Sequence, residues 1–167
     1  VSIINQETPL TDNPAMYGDY PRFGTPVEVG EAIVEAGFDV VTCATNHALD
    51  RGGDGIDFTK SFFEANKITC LGIQSQSETV YQPYEIIARN GIRFALLNYT
   101  YGTNGIAVQE SNPYMVHLLK DEDRICNDME KARAEADFVI VFVHWGTENS
   151  EEIDEFQQKW TRLFLEN

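Results

Sequence analysis

No stretch of the sequence approaches the ~20 consecutive apolar residues that a bilayer-crossing helix requires. Internal repeats and low-complexity segments are absent as well. Cysteine is scarce: Cys43, Cys70 and Cys126 lie far apart with no paired spacing. That pattern excludes a disulfide framework and a zinc knuckle, and Cys43 and Cys70 read as small apolar residues within strands. Positive charge is thin too, with 12 Lys and Arg against 27 Asp and Glu and a net charge of −15. Such a surface repels phosphate backbones, which excludes nucleic acid as a partner. Any polyanionic ligand needs a local reversal of sign, from a metal or a small basic patch. What is present is 167 residues, 43% of them hydrophobic, enough for one domain with a real core.

The chain opens directly on a strand, Val1 to Ile4, without an initiator Met or a signal peptide, and closes straight after a helical pattern. We therefore expect an excerpt from a longer protein, in which missing targeting signals mean little. Residues 11 to 24 show no periodicity and read as a loop. A helix start follows, with Thr25 as N-cap, Pro26 at the first helical position and Glu28 completing a capping box. Val29, Ile33 and Ala36 give its apolar stripe, and Gly37 ends it. Ile56, Thr59, Phe62 and Phe63 mark a second amphipathic helix to about Asn66, and Thr69 to Ile73 a strand. Tyr84 to Arg89 and Ile92 to Asn98 alternate around Asn90-Gly91, a hairpin with positive φ at both turn positions. Asp121 to Ala136 reads as a helix. Phe138 to Val143, the most apolar run, reads as a central strand, and a last helix buries Ile153, Phe156, Trp160, Leu163 and Phe164. Strand–helix alternation of this kind makes an α/β layered domain, not wholly parallel because of the hairpin.

The organising stretch is Phe38 to Gly55. Val40, Val41, Thr42 and Cys43 have the composition of a strand buried on both faces, and Asn46-His47, Asp50 and a run of glycines follow. In open α/β sheets ligands bind outside the carboxyl ends of the strands. Right-handed crossovers bring those ends to one edge, and three predicted strands end in candidate ligands: Glu7, Asn46-His47 and His144. A carboxylate, an amide oxygen and an imidazole suit Mn, Fe or Zn better than a thiolate site would. Each residue alone is more often a solvated acid, a cap or a satisfied loop histidine. His117, within Tyr-Met-Val-His-Leu-Leu, lies away from this edge and reads as structural.

Four motifs occur in order: Asn5-Gln6-Glu7; Ala44-Thr45-Asn46-His47-Ala48-Leu49-Asp50-Arg51-Gly52; Asn98-Tyr99-Thr100-Tyr101-Gly102-Thr103-Asn104-Gly105; and His144-Trp145-Gly146-Thr147-Glu148. Over essentially the whole chain they resemble the bacterial capsule synthesis family of the CapA type, linked to poly-γ-glutamate capsules. That family resembles the calcineurin-like metallophosphoesterases in fold. The resemblance implies a layered αββα sandwich, with mixed sheets, βαβ units and a hairpin, forming a single domain over 1–167 that is truncated at both ends. It also implies two divalent ions, with Glu7, Asn46 and His144 as ligands and His47 as proton donor. Asp50 would orient the His47 loop, and Asn5, Tyr101, Asn104 and Glu148 would support the site or touch substrate. The family's opening Gly-Asp segment would precede Val1 and its Gly-His-x-His segment would follow Asn167, so about half a dinuclear site is expected here. Gln6 and Thr45 stand where the family usually has Leu and Asn. The implied role is capsule-polymer biosynthesis at the cell envelope, outside the cytoplasm. The partners would be an anionic polymer or its precursor and other capsule-synthesis membrane proteins. The implied activity is metal-dependent hydrolysis of a phosphoester or a γ-glutamyl bond. The rival expectation is a non-catalytic polymer-binding assembly or export component of the same fold.

Overall fold

The computed structural model describes residues 1–167. Its first half contains β1 (Ile3–Asn5), β2 (Leu10–Thr11), β3 (Thr25–Pro26), α1 (Val27–Glu35), β4 (Val40–Thr42), α2 (Gly52–Ala65) and β5 (Thr69–Leu71). The second half contains β6 (Tyr84–Arg89), β7 (Ile92–Thr100), α3 (Glu122–Glu135), β8 (Phe138–His144) and α4 (Glu155–Glu166). One parallel sheet runs β1-β4-β5, with Ile3 beside Val40 and Val40 beside Thr69. A second runs β6-β7-β8, antiparallel between β6 and β7 and parallel between β7 and β8. β2 and β3 form a separate parallel pair.

Side-chain alternation along the strands decides how these sheets stack, since neighbouring residues face opposite sides. Val41 joins Ile33 of α1 and Ile56 and Phe63 of α2 in one apolar cluster. Its neighbour Val40 faces the other way, meeting Leu71 and Leu96 with Phe94 and Phe142 packed against them. On the second sheet, Leu96 points to that inter-sheet layer. Leu97 points away from it, into a cluster with Ile125 and Met129 of α3 and Trp160 of α4. The order of layers is therefore helix, sheet, sheet, helix, the mixed αββα sandwich expected from the sequence. Val40, Val41, Leu96 and Leu97 are at most 1% exposed, and full burial of such a side chain contributes about 1.5–3 kcal/mol.

Four local expectations need correction. Thr25 does not cap α1. It pairs with Pro9 and Leu10 of the β2 segment, its hydroxyl meets that of Thr8, and the helix starts one turn-residue later without a side-chain cap. The capping box with Glu28 is consequently not formed, and Val29 lies on the solvent side while Gly30 and Ile33 face inward. β8 is not central: β7 holds the middle of its sheet, and Phe138 and Ile140 of β8 are exposed. Ile153 precedes α4 and is exposed with Phe156, so Trp160 anchors that helix, flanked by Leu163 and Phe164. α2 begins at Gly52, so the glycines before Ile56 form its first turn. The hairpin turns at Asn90 and Gly91 with φ of 55° and 81°. Cys43 and Cys70 remain free thiols, yet adjacent strands bring their sulfurs to 3.5 Å, a proximity that sequence separation conceals.

Candidate active site

The carboxyl ends of β1, β4 and β8 open into one cavity of about 1200 Å³ lined by Glu7, Asn46, His47, Asp50 and His144. Parallel pairing puts these ends together: β1 and β8 each run alongside a strand whose C-terminal residues lead into the site. Strand β4 stops at Thr42, and the next residues are held in place by hydrogen bonds from both sheets. The Ala44 amide donates to Asn98 Oδ1 of β7 at 2.8 Å. The Thr45 hydroxyl donates to the Glu7 carbonyl at 2.5 Å, and the His47 amide donates to Thr45 Oγ1 at 3.2 Å. Thr45, at a position where the resembled family usually has Asn, is thus the buried link between the Glu7 carbonyl and the His47 amide.

His144 Nε2 lies 2.8 Å from Asn46 Oδ1 and 3.8 Å from Glu7 Oε1. His144 Nε2 is thus the atom the other two approach, with Asn46 Oδ1 at hydrogen-bond distance and the Glu7 carboxylate an ångström further out. The set is an amide oxygen, a carboxylate and an imidazole, which suits a first-row divalent ion. Nowhere do three His, Cys, Asp or Glu side chains converge on their own; the cluster here depends on the amide of Asn46. Burial lowers the His144 pKa, Glu7 acts to raise it and His47 to lower it further. A neutral imidazole is the form that binds a metal.

His47 belongs to a different pairing. Its Nδ1 lies 2.7 Å from Asp50 Oδ2, and the Asp50 side chain is 1% exposed. A carboxylate at that distance holds the imidazole with Nδ1–H toward it, and Nε2 lies 3.4 Å from Asn104 Nδ2. Asp50 Oδ2 also accepts the Phe23 amide at 2.8 Å, and the Phe23 ring meets His47 edge-on at 4.8 Å. Asn104 Oδ1 accepts from Asn46 Nδ2 at 3.2 Å, and its own amide nitrogen lies 3.3 Å from His47 Nδ1, so it touches both residues. Tyr101 lies parallel to His144 with centroids 6.5 Å apart, and Glu148 lines the cavity. Asn5 is elsewhere: its side chain accepts the Thr42 hydroxyl between the strands and does not reach the cavity.

The loop read over residues 11–24 opens on a 3₁₀ turn at Pro14–Met16, and nothing in the sequence signals that it brings Arg22 and Phe23 into the cavity wall. No periodicity marked it, because its shape comes from a side chain in another segment. The Arg51 guanidinium donates to the carbonyls of Met16 at 2.7 Å and Arg22 at 2.9 Å. His117 lies outside the cavity, buried beside Gln74, Tyr81 and Tyr99.

Residues 1–167 match the family described as bacterial capsule synthesis protein PGA_cap. The chain belongs to that family. Among curated relatives, it is 32% identical to a Bacillus anthracis capsule biosynthesis protein CapA over 72% of this chain and 30% of that one. A Bacillus subtilis (strain 168) PGA biosynthesis protein CapA is 25% identical over 83% of this chain and 36% of that one. The chain thus spans about a third of the length of these capsule biosynthesis relatives. Among solved structures, Haemophilus influenzae NAD nucleotidase is similar over 70% of this chain and 21% of that one, at 24% identity and a TM-score of 0.42. No helix of the capsule family chain is long and apolar enough to cross a membrane.

Proposed function

We propose that this chain forms part of a metal-dependent hydrolase acting at the cell envelope on an anionic capsule polymer of the poly-γ-glutamate kind or on its precursor. The observation that supports this is the juxtaposition, in one cavity, of two separate devices: the Glu7–Asn46–His144 donor cluster and the His47–Asp50 pair. Either device alone has an ordinary structural explanation; their adjacency is what hydrolysis uses. Glu7, Asn46 and His144 would hold a divalent ion, which supplies Lewis acidity toward the scissile oxygens and toward water. Manganese, iron and zinc all match the donor set, and two ions would be completed by groups beyond these three. Asp50 would hold Nδ1–H of His47 and stabilise the imidazolium, whose Nε2–H would give its proton to the leaving group, whether alkoxide or amine, leaving the neutral ring. Asn104 bridges the two devices and holds Asn46 in the rotamer that turns Oδ1 to His144. Phe23, Tyr101 and Trp145 supply the aromatic part of the wall beside the reacting group. Other capsule-synthesis proteins of the membrane would deliver or carry away the polymer.

The test is metal content and hydrolysis by the natural protein, loaded with Mn²⁺, Fe²⁺ or Zn²⁺ in turn and offered a γ-glutamyl oligomer or a phosphomonoester. Stoichiometric metal with metal-dependent cleavage of either substrate is the expected result. Undiminished polymer binding in a metal-free protein with no cleavage would instead favour a non-catalytic assembly component.

A further inference from the structure

Arg22 is the one Lys or Arg in the wall of the cavity, against five carboxylates from Glu7, Asp50, Glu148, Glu151 and Glu152. None of those acids pairs with it: no carboxylate lies within 4.0 Å of its guanidinium, which also donates to no protein group. In contrast, its main chain is held closely. The Arg22 amide donates to the Asp19 carbonyl at 3.1 Å, and its carbonyl accepts from Arg51 Nη2. The loop is closed by reciprocal Gly18 and Gly24 backbone bonds of 3.3 and 3.1 Å. Phe23, the next residue, is tied through its amide to Asp50, the partner of His47. The fold therefore ties the main chain of Arg22 to the proton-transfer pair, while its exposed side chain at the cavity wall keeps five N–H donors without a protein partner. A planar fork of donors matches the two oxygens of a carboxylate or phosphate.

We propose that Arg22 is the specificity residue of this cavity, binding an anionic group of the substrate, and that Arg51 is the positioning residue that presents it. The inference deepens the hydrolase reading and rests on the cavity being the substrate site. It explains how an acidic chain admits a polyanion: Arg22 supplies positive charge in a wall that otherwise carries carboxylates. The ligand chemistry is a pair of anionic oxygens, from a glutamyl carboxylate or from a phosphate.

The experiment measures binding of γ-glutamyl-glutamate and of inorganic phosphate to the chain in metal-free buffer. Wild type is compared with Arg22→Gln, Arg22→Lys, Arg51→Lys and the Arg22→Gln/Arg51→Lys double variant, with melting temperature recorded for each. Arg22→Gln should weaken one probe by about tenfold or more, with the melting temperature unchanged because the guanidinium makes no hydrogen bond or ion pair within the protein. Arg22→Lys should restore part of the loss, since it returns the charge without the fork. Arg51→Lys should weaken the same probe, and should add nothing further once Arg22 is already Gln. A merely structural Arg51 would lower melting temperature equally in both backgrounds and leave no such dependence in affinity. Preference for the dipeptide assigns the carboxylate of a glutamyl polymer, and preference for phosphate assigns a phosphoester. Unchanged affinity in Arg22→Gln, or no binding of either probe, overturns the proposal. Because no metal is present, Arg22-dependent binding without metal-dependent cleavage would sustain this inference and sink the hydrolase reading. Cleavage that is indifferent to Arg22 would do the reverse.

Discussion

Asn46 and His47 are adjacent in the chain, yet their side chains serve different partners. Asn46 Oδ1 faces His144, whereas His47 faces Asp50. Replacing Asn46 with Ala removes a neutral oxygen donor from a three-donor set, so metal content should fall and turnover with it. His47→Asn should leave metal bound while turnover falls by ~10²–10⁴-fold, the usual contribution of a general acid. Metal analysis and kinetics on the two variants separate these outcomes; equal loss of metal in both would make His47 a ligand. At this scale the sequence was informative where a residue ends a strand. Glu7, Asn46, His47 and His144 could be grouped because parallel strands bring their ends to one edge. Arg22 and Phe23 could not, because their placement depends on Arg51, nearly thirty positions away. Asn5, grouped with them by motif, instead points between strands to Thr42.

Elements were legible in proportion to how locally they are determined. The hairpin is the clearest case, since Asn90-Gly91 fixes its own geometry. Gly91 has φ of 81°, and a Cβ added there would meet nothing within 4 Å. Gly91→Val should therefore cost on the order of 1 kcal/mol or more through backbone strain alone. Gly91→Asn should cost less, because Asn tolerates left-handed geometry. Coincident unfolding midpoints for Gly, Asn and Val would contradict this account. Gly24 is limited by space instead: an added Cβ would collide with the Met16 carbonyl oxygen and the Arg51 guanidinium. Gly24→Ala should open the loop and free the Phe23 amide from Asp50, raising its hydrogen-exchange rate while the amides of β7 stay protected. Unaltered Phe23 protection would show that the loop does not depend on Arg51. The start of α1 and the position of β8 were misread for the opposite reason. Thr25 is drawn into pairing with the β2 segment, and an apolar run such as Phe138–Val143 does not say which strand lies beside it.

The stability of the whole molecule against acid depends on what its layers bury. His117 sits between the end of β7 and Gly72, bonded to both through its main chain, and is 3% exposed, with Nε2 3.3 Å from Gln74 Oε1 and Nδ1 without a partner. Desolvation, with smaller contributions from Arg124 and Lys60, lowers its pKa from 6.5 to about 3. For a base with a depressed folded pKa, stability is at its highest above the unfolded pKa and is lost as pH falls toward the folded one. Above pH 6.5 the residue is neutral folded or unfolded and favours neither state. Between 6.5 and about 3 the unfolded chain takes up a proton that the folded chain refuses. Stability is then lost as pH falls, with a slope approaching ~1.4 kcal/mol per pH unit. Two features oppose this loss. Asp128, whose pKa burial raises, keeps its proton more readily folded than unfolded. Protonation of surface carboxylates also relieves the self-repulsion of a chain of net charge −15. The raw acid limb therefore mixes several groups, and the difference between wild type and His117→Gln isolates one. Gln at that position keeps a hydrogen-bonding side chain facing Gln74 and cannot titrate. The variant should be less stable by a nearly constant amount above pH 6.5. Wild type should lose that advantage steadily as pH falls toward 4, measured by urea unfolding at half-unit intervals. Parallel stability curves over this range would mean that His117 takes up its proton in the folded state, and that the layers behind β7 admit water.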